Sequence, residues 1–314
     1  MSGHLPKLVV HADWGTDPAK RMMSVARRQF SHYSVGRATV VGDLDTFFDE
    51  LSGQCEPDET LLVGFDFPIG LPATYSQLAG INLFCDGLQL FGQGPWADFY
   101  TLATQANEIS IHRPFYPFAP GGTAQDQLVA GLGVNSMDDL LRECDRATDD
   151  RVNACWLLWT LGAKQVGRAA IIGWRDLIAP AIEYYGDEIG IWPFDGRLND
   201  LLRTKRIVIC ETYPAEAYHH LNLSGGNWSK RNQEDRQLRG VEMIRWCAKR
   251  PVTFTDELFA QLDDGFGATV DGEDPFDAIV GVCSMLDVVM NYRSEGNLQS
   301  PHATTTEGWI LGQL

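Results

Sequence analysis

The sequence predicts an α/β protein in which a mixed sheet is flanked by helices and carries a large helical insertion. Three strand-like segments and a helix open the chain, and later strand-like segments alternate with helical ones, as in a sheet covered by helices. The chain has 314 residues and is 44% hydrophobic, which is enough to bury a substantial core. We therefore expect one compact domain over residues 1–314, with an insertion at about 75–205.

The opening elements follow from residue type and spacing. Apolar runs, alternating β-branched positions and one helical pattern predict three strands and a helix, in KLVVHADWG, MMSVARRQF, YSVGRATVV and DLDTFFDELS. TLLVGFDFPIGLP then predicts a buried strand that is broken by Pro68, Gly70 and Pro72. From about Tyr75 to Gly122 the chain is rich in aromatic residues and glycine without clean periodicity, which predicts loops and short helices.

The second half of the chain alternates helix and strand. Helices are predicted in three segments before the next strand: SMDDLLRECDRA, NACWLLWTLGAKQVGRAAIIGW and DLIAPAIEYYG. RIVICETYPAEAYHHL predicts a strand followed by a helix that begins at a proline. A charged amphipathic helix is predicted in SKRNQEDRQLRGVEMIRWCAKR, and a buried helix in PFDAIVGVCSMLDVVMN.

Composition restricts the partners and the compartment. The formal net charge of −17 opposes binding to long nucleic acids, because phosphate neutralisation supplies most of that affinity. No run approaches the roughly 18 apolar residues that a membrane span needs, so we expect no membrane partner. The seven cysteines include no CxxC pair and the first residues lack a secretory signal pattern. These features predict a cytoplasmic protein with reduced thiols.

Three of the predicted strands end in or near an acid. Asp13 ends LVVHAD, Asp66 interrupts LLVGFDFP and Glu211 ends IVICE. Burying an unpaired carboxylate costs several kcal/mol, so acids at the ends of three apolar strands call for a reason. Ligands bind at the strand ends of sheets with helical crossovers, and the acids would converge there if the strands are neighbours. Each acid also has a local explanation, as a cap or turn former in its own loop.

The stretch DGEDPFDAIVG raises the same question at a helix start. Asp274-Pro275 favours the beginning of a helix, with the aspartate as cap and the proline in the first position. Asp277 follows three residues later, so the two aspartates share one helix face. Gly281 and Ser284 continue that face and would allow close approach to the sheet. A cap and a pair of ligands are both compatible with this pattern, and Asp277 is the sharper candidate for a ligand.

So many carboxylates in one crevice would repel one another unless their pKa values rise or a cation neutralises them. Oxygen ligands without cysteine indicate Mg²⁺ or Mn²⁺ in preference to zinc. A two-metal arrangement would suit in-line attack on a phosphodiester. We therefore expect a metal site formed by four aspartates: Asp13, Asp66, Asp274 and Asp277. Glu211 is a further candidate for catalysis, beside Asp13, Asp66 and Asp277.

The order of elements and acids resembles the RNase H-like fold, and within it the Holliday-junction resolvase branch. That branch has acids on the first and fourth strands and an aspartate pair, three residues apart, on the last helix. More closely, the chain is similar to the predicted nuclease family catalogued as domain of unknown function 429. The similar segments cover nearly the whole chain: ADWGTDPAKR, GFDFPIGLP, RPFYP, WTLGAKQVGRAAIIGW, WPFDG, ETYPAEAY, SKR, GEDPFDAIVG and EGWILGQ.

The resemblance implies an RNase H-like mixed sheet and assigns roles to the acids. Asp13, Asp66 and Asp277 would be the principal metal ligands, with Asp274 beside them. Glu211 lies on the predicted fifth strand, where the resolvase branch does not require an acid. It would be either an outer group that supports the ligands or a substitute ligand that makes this site different.

Four basic residues are candidates for binding a substrate phosphate. Lys20 follows the first acidic strand closely, and Arg113 lies in HRPFYP. Lys164 and Arg168 are four apart in a segment rich in Trp, Leu and Ala, so a helix would place them on one face. The alternative for each is an ordinary charge on a solvated surface.

Three functions compete at this stage. The first is a metal-dependent phosphodiesterase or nuclease that acts on a short or structured nucleic acid, in view of the acidity of the chain. The second takes DWGT, Asp13 to Thr16, as the phosphate loop of an ATP-dependent phosphotransferase of the actin and hexokinase type, although the sequence offers no second D-x-G loop. The third is a noncatalytic binding or regulatory protein. The sequence leaves the oligomeric state open.

Overall fold

The computed structural model describes residues 4–116, 125–149, 151–160 and 166–314. Over these residues the chain forms an α/β structure built on an eight-stranded mixed sheet. The strands are β1 (Leu8–Asp13), β2 (Met22–Gln29), β3 (His32–Val35), β4 (Thr39–Val40), β5 (Leu61–Phe65), β6 (Ile189–Ile191), β7 (Ile207–Glu211) and β8 (Val252–Phe254). Their order in the sheet is β6-β7-β5-β1-β2-β3-β8, and β4 pairs with β2.

The register of the central strands decides where the candidate site forms. β1 pairs antiparallel with β2 and parallel with β5, with Val10 opposite Val63. β5 pairs parallel with β7, with Val63 opposite Ile209. The carboxyl ends of β1, β5 and β7 therefore meet at one edge of the sheet, which is where open α/β sheets bind ligands.

Helices cover both faces of this sheet. They are α1 (Phe47–Ser52), α2 (Ala73–Ala79), α3 (Phe84–Leu90), α4 (Gln125–Leu132), α5 (Val166–Gly173), α6 (Ala179–Tyr185), α7 (Leu198–Thr204), α8 (Pro214–His220), α9 (Gln233–Cys247), α10 (Asp256–Asp264) and α11 (Glu273–Val289). A π-helical turn, Trp174–Ile178, joins α5 to α6. None of the helices in the described part of the chain is both long enough and apolar enough to cross a bilayer.

Two hydrophobic cores lie on the two faces, because successive side chains of a strand point in opposite directions. Leu8 and Val10 of β1 belong to one core, together with α1 and most helices of the predicted insertion. Val9 belongs to the other, together with α8, α9 and α11. β1 is buried along its whole length, which explains why it reads as a continuous apolar run and not as an alternating one.

α11 packs directly on β1 at Gly281, where the absence of a side chain allows close approach. A Cβ at Gly281 would come within 2.3 Å of the imidazole ring of His11. His11 is fully buried, and burial lowers its pKa to about 3. The expected close approach of this helix to the sheet is therefore confirmed, and it sets the position of Asp277 one turn earlier.

Two predicted helices differ from the structure. SMDDLLRECDRA forms two 3₁₀ turns, Met137–Leu140 and Glu143–Asp145, because aspartate side chains bond to nearby backbone N–H groups and compete with the helix. Residues 153–160 are not helical; the backbone near Leu158 pairs with Tyr116 instead. Of the helix predicted in NACWLLWTLGAKQVGRAAIIGW, the described residues form only the part from Val166 onward, which is α5.

The segment predicted as an insertion contributes to the sheet itself. It contains α2 to α7 and also β6, which pairs parallel with β7 through Gly190 opposite Val208. β6, β8 and α10 were not predicted. Both strands have only three residues, too few to show a period of two in the sequence, and pairing with a longer strand stabilises them.

Candidate functional site

Three aspartates approach one another at the carboxyl edge of the sheet. Asp13 is the last residue of β1, and Asp66 directly follows β5, where its N–H donates to the carbonyl of Ala12 at 3.0 Å. Asp277 lies in the first part of α11, which crosses this edge. Asp13 and Asp277 are only 9% and 2% exposed. The parallel pairing of β1 with β5 and the packing of α11 on β1 bring them together.

Burial and mutual repulsion raise the pKa values of all three acids. Burial, followed by the charges of Asp277 and Asp66, raises the pKa of Asp13 well above its ordinary value. Burial and then Asp277 raise the pKa of Asp66 to about 7. Burial also raises the pKa of Asp277, although Lys230 opposes the shift. Carboxylates that repel one another in this way favour a cation among them.

Lys230 supplies one such cation from a distant part of the chain. Its ammonium forms an ion pair with the carboxylate of Asp277, and the Tyr218 hydroxyl donates a hydrogen bond to the same carboxylate. The charge of Lys230 also lowers the pKa values of Asp13 and Asp66. No chemical role for Lys230 or Tyr218 is evident from the sequence: Lys230 stands in a basic pair with Arg231, which is typical of a solvated surface, and in the SKR segment of the family resemblance.

A buried arginine fixes the loop that carries this lysine. The Arg236 guanidinium is fully buried and donates to the carbonyl of Lys230 at 2.6 Å. It also donates to the carbonyls of Gly265, Gly267 and Thr269 at 2.7, 2.6 and 3.0 Å. Arg236 therefore ties the loop before α9 to the segment before α11, so that Lys230 and the acidic start of α11 are held in register.

Asp274 lies at the margin of this group and is not the cap that its sequence context predicts. α11 begins at Glu273, with Gly272 in the capping position, so Asp274 and Pro275 both lie inside the first turn. A proline is tolerated there because the first N–H groups of a helix have no partner within it. Asp274 is half-buried, and burial followed by Glu273 and Asp277 raises its pKa to about 6.

Glu211, a candidate for catalysis in the sequence, is held at the end of β7 by a buried arginine. It is 4% exposed, and the fully buried Arg142 donates to its two oxygens at 2.6 and 2.7 Å. The N–H of Ile69 donates to the same carboxylate at 2.7 Å. Arg142 also binds Asp145 with two contacts of 2.9 Å. Glu211 therefore anchors the predicted insertion to the sheet edge and has little capacity left for a metal.

A cavity of about 570 Å³ opens beside the aspartates. Its polar wall carries Asp66, Asp277 and Lys230, and its aromatic wall carries Trp14, Tyr213 and Tyr218. Residues of the predicted insertion, between 142 and 169, form another side. The volume falls within the range of small-molecule sites, so the cavity could hold part of a ligand next to the acids.

Of the predicted phosphate-binding residues that the structure describes, none lines this cavity. Lys20 is exposed and pairs with Asp271 at 3.4 Å, near enough to Asp274 to lower the pKa of that carboxyl. Arg113 is used within the insertion, where it binds two backbone carbonyls and one glutamate. Arg168 lies on α5 between residues that line the cavity but does not line it itself. Lys164 lies outside the described residues.

The donor chemistry of the aspartates fits Mg²⁺ or Mn²⁺, which take hard oxygen ligands. Asp13, Asp66 and Asp277 are the residues that would hold such an ion, with Asp274 beside them. These side chains are not preorganised for a metal. Among the described residues, no three His, Cys, Asp or Glu side chains lie in a geometry that could hold an ion. At Asp277 such an ion would compete with the ammonium of Lys230, which pairs with the carboxylate.

Comparisons with known proteins identified no relative of this chain. No protein-family model, no curated protein and no solved structure matches the chain.

Proposed function

We propose that the protein is a divalent-metal-dependent phosphodiester hydrolase of RNase H-like fold. The observation that supports this most is the approach of Asp13, Asp66 and Asp277 at one sheet edge, where their raised pKa values favour a cation. The resemblance rests on an order of three strands, a helix and later strands with helices; the structure has β1 to β3 and the two-residue β4 before α1, and strands and helices after it. We also propose that the chain is a member of the predicted nuclease family catalogued as domain of unknown function 429.

In this proposal each group has a definite task. Asp13, Asp66 and Asp277 would hold Mg²⁺ or Mn²⁺, and Asp274 would add negative charge at the margin. An ion bound there would supply Lewis acidity for activating water and for neutralising charge on the phosphate. Tyr213, with Trp14, forms an apolar wall against which the organic part of the substrate packs. Glu211 keeps the edge in shape through Arg142 and does not touch the reacting atoms.

The substrate class that fits is a short or structured phosphodiester. A net charge of −17 repels a long polyanion, whereas one or two phosphates carry little repulsion into the cavity. The protein would therefore act on a nucleic acid end, a short oligonucleotide or a small phosphoester in preference to a long duplex.

The decisive experiment compares metal binding and hydrolysis in matched variants. Asp13→Asn and Asp277→Asn should each weaken Mn²⁺ binding at least about tenfold by titration calorimetry, since each removes one of three charged ligands. Both should also abolish Mn²⁺-dependent cleavage of bis(p-nitrophenyl) phosphate and of short oligonucleotides. Asp86→Asn, an equal change of charge at an exposed position of α3, is the control. If both site variants bind Mn²⁺ like the parent, the metal site does not exist.

A second candidate is a noncatalytic protein that binds a phosphate-containing ligand. The ion pair of Lys230 with Asp277 favours it, because a lysine already neutralises part of the acidic group. This candidate predicts that the parent protein binds neither Mn²⁺ nor Mg²⁺, yet still binds short oligonucleotides. The calorimetric titration described above separates the two functions.

A further inference from the structure

Lys230 occupies the position where the acidic site needs positive charge. Its ammonium pairs with the Asp277 carboxylate, and its charge also acts on Asp13 and Asp66. Asp277 is nearly inaccessible, with 3% of its side chain exposed, whereas 39% of the Lys230 side chain is exposed. The lysine therefore reaches in from the cavity, and the aspartate it meets is fixed in the interior.

The same carboxylate cannot serve the lysine and a divalent cation fully at the same time. Its Oδ1 accepts from the Tyr218 hydroxyl and its Oδ2 from the Lys230 ammonium, so a divalent cation that binds this carboxylate approaches atoms that these partners now occupy. A second cation beside the ammonium would be repelled at such short range. Binding of the metal to Asp277 must therefore displace Lys230.

The lysine has a place to go when it is displaced. Its backbone is held by Arg236 at the carbonyl oxygen, so the loop stays in position while the flexible side chain turns. Both Lys230 and Asp66 line the cavity of about 570 Å³, so a rotation carries the ammonium from Asp277 into the space where a substrate phosphate would lie. A lysine ammonium is a common ligand of phosphate groups.

We propose that Lys230 is an exchangeable internal cation: it competes with the divalent metal for Asp277, and once displaced it binds the substrate phosphate. This rests on the proposed metal-dependent function and adds to it a residue that no acid pattern predicted. It implies that metal and substrate bind cooperatively, because each gains from the movement of the same side chain.

The test is a pair of affinities measured in one set of variants. Lys230→Met keeps the length of the side chain and removes its charge. It should bind Mn²⁺ about tenfold more tightly than the parent, because the competing cation is gone. The Mn²⁺-saturated variant should bind inorganic phosphate about tenfold more weakly than the Mn²⁺-saturated parent, because the displaced ligand is missing.

Two further variants separate this role from a structural one. Lys230→Arg keeps the charge and should change both affinities by less than about threefold. Lys249→Met makes the same change at an exposed position beyond the far end of α9, roughly 20 Å along the helix from the loop of Lys230. It should leave both affinities unchanged. A residue that only supports the fold would move the two affinities in the same direction.

The outcomes separate the two proposals. If the parent binds Mn²⁺ through Asp277 and Lys230→Met binds it no more tightly, the proposed exchange of Lys230 for the metal at Asp277 is refuted and the metal site stands. The exchange is equally refuted if phosphate affinity does not fall in Lys230→Met. If neither the parent nor Lys230→Met binds Mn²⁺, the metal site and the exchange are refuted together.

Discussion

At the scale of single residues, the partner of each buried acid decides what that acid does. Glu211 and Asp277 are almost equally buried, at 4% and 2% exposure. Glu211 is bound through both oxygens by the buried Arg142 and accepts a further bond from the Ile69 N–H. Asp277 is bound by Lys230, whose side chain is partly exposed and unbranched. Both oxygens of Glu211 are therefore occupied by buried donors. The Asp277 carboxylate, by contrast, is bound by a side chain that a divalent cation can replace.

The two acids should therefore respond to neutralisation in opposite ways. Glu211→Gln should lower the free energy of unfolding by about 2–3 kcal/mol, because it breaks charge-assisted bonds of a buried arginine. Its Mn²⁺ affinity should stay within about threefold of the parent. Asp277→Asn should lose Mn²⁺ binding while its stability changes by less than about 1 kcal/mol, since a lost ion pair is offset by lost repulsion. Urea denaturation and calorimetry measure both quantities.

A loss of Mn²⁺ binding in Glu211→Gln that exceeds the loss in Asp277→Asn would contradict this division. It would return Glu211 to the role of substitute ligand that the sequence left open.

At the scale of elements, the contact of α11 with β1 positions the site. Gly281 lies against the ring of His11, and a Cβ there would come within 2.3 Å of it. The ring is fully buried between the helix and the sheet, so it has no open space to move into. Asp277 lies one turn earlier on the same helix. Any displacement of α11 from β1 is therefore carried directly to the acid.

Gly281→Ala should destabilise the protein by roughly 1–3 kcal/mol, because overpacking outweighs the better helix propensity of alanine. It should also weaken Mn²⁺ binding, although the residue touches no metal ligand. Adding His11→Ala should restore part of both losses, since the two side chains share one space and their effects are not additive. Thermal denaturation and calorimetry of the two single variants and the double variant give the coupling.

Additive effects of Gly281→Ala and His11→Ala would show that the helix tolerates the extra methyl group without moving. In that case the close packing would not be what positions Asp277.

At the scale of the whole molecule, the acidic site works against folding at neutral pH. Burial and neighbouring acids raise the pKa of Asp66 from 3.8 to about 7, so the folded state holds this proton more tightly than the unfolded chain does. Between these two values the folded state binds more protons than the unfolded state. The contribution of Asp66 to stability therefore falls as pH rises through this window and is constant above it.

The metal-free protein should show this decline as a difference between parent and Asp66→Asn. In EDTA, the stability of the parent relative to the variant should fall by on the order of 2 kcal/mol between pH 4 and pH 8. Histidines such as His220, whose pKa is lowered by burial, affect both proteins alike and cancel in the difference. Urea denaturation at several pH values measures the curve. A difference that is flat or rises with pH would show that Asp66 is not under this electrostatic stress.

Much of the architecture could be predicted because it is coded locally. The strands β1, β2, β3, β5 and β7 and the buried helix α11 carry their apolar patterns within a few residues. β6 and β8 could not be found, because strands of three residues exist only through their pairing partners. α10 did leave a signal, since Thr255 caps it by accepting from the N–H of Leu258, directly before an acidic first turn.

By itself, the sequence determined that Asp13, Asp66 and Asp277 lie at the ends of apolar elements, since each position follows from a local pattern. Only the tertiary structure decided how each acid is neutralised. Arg142 reaches Glu211 across 69 residues of chain, and Lys230 reaches Asp277 across 47. Coulomb interactions depend on distance in space and on burial, and neither can be read from spacing along the chain. The acids were therefore visible in the sequence, and the two cations that distinguish a structural acid from a candidate ligand were not.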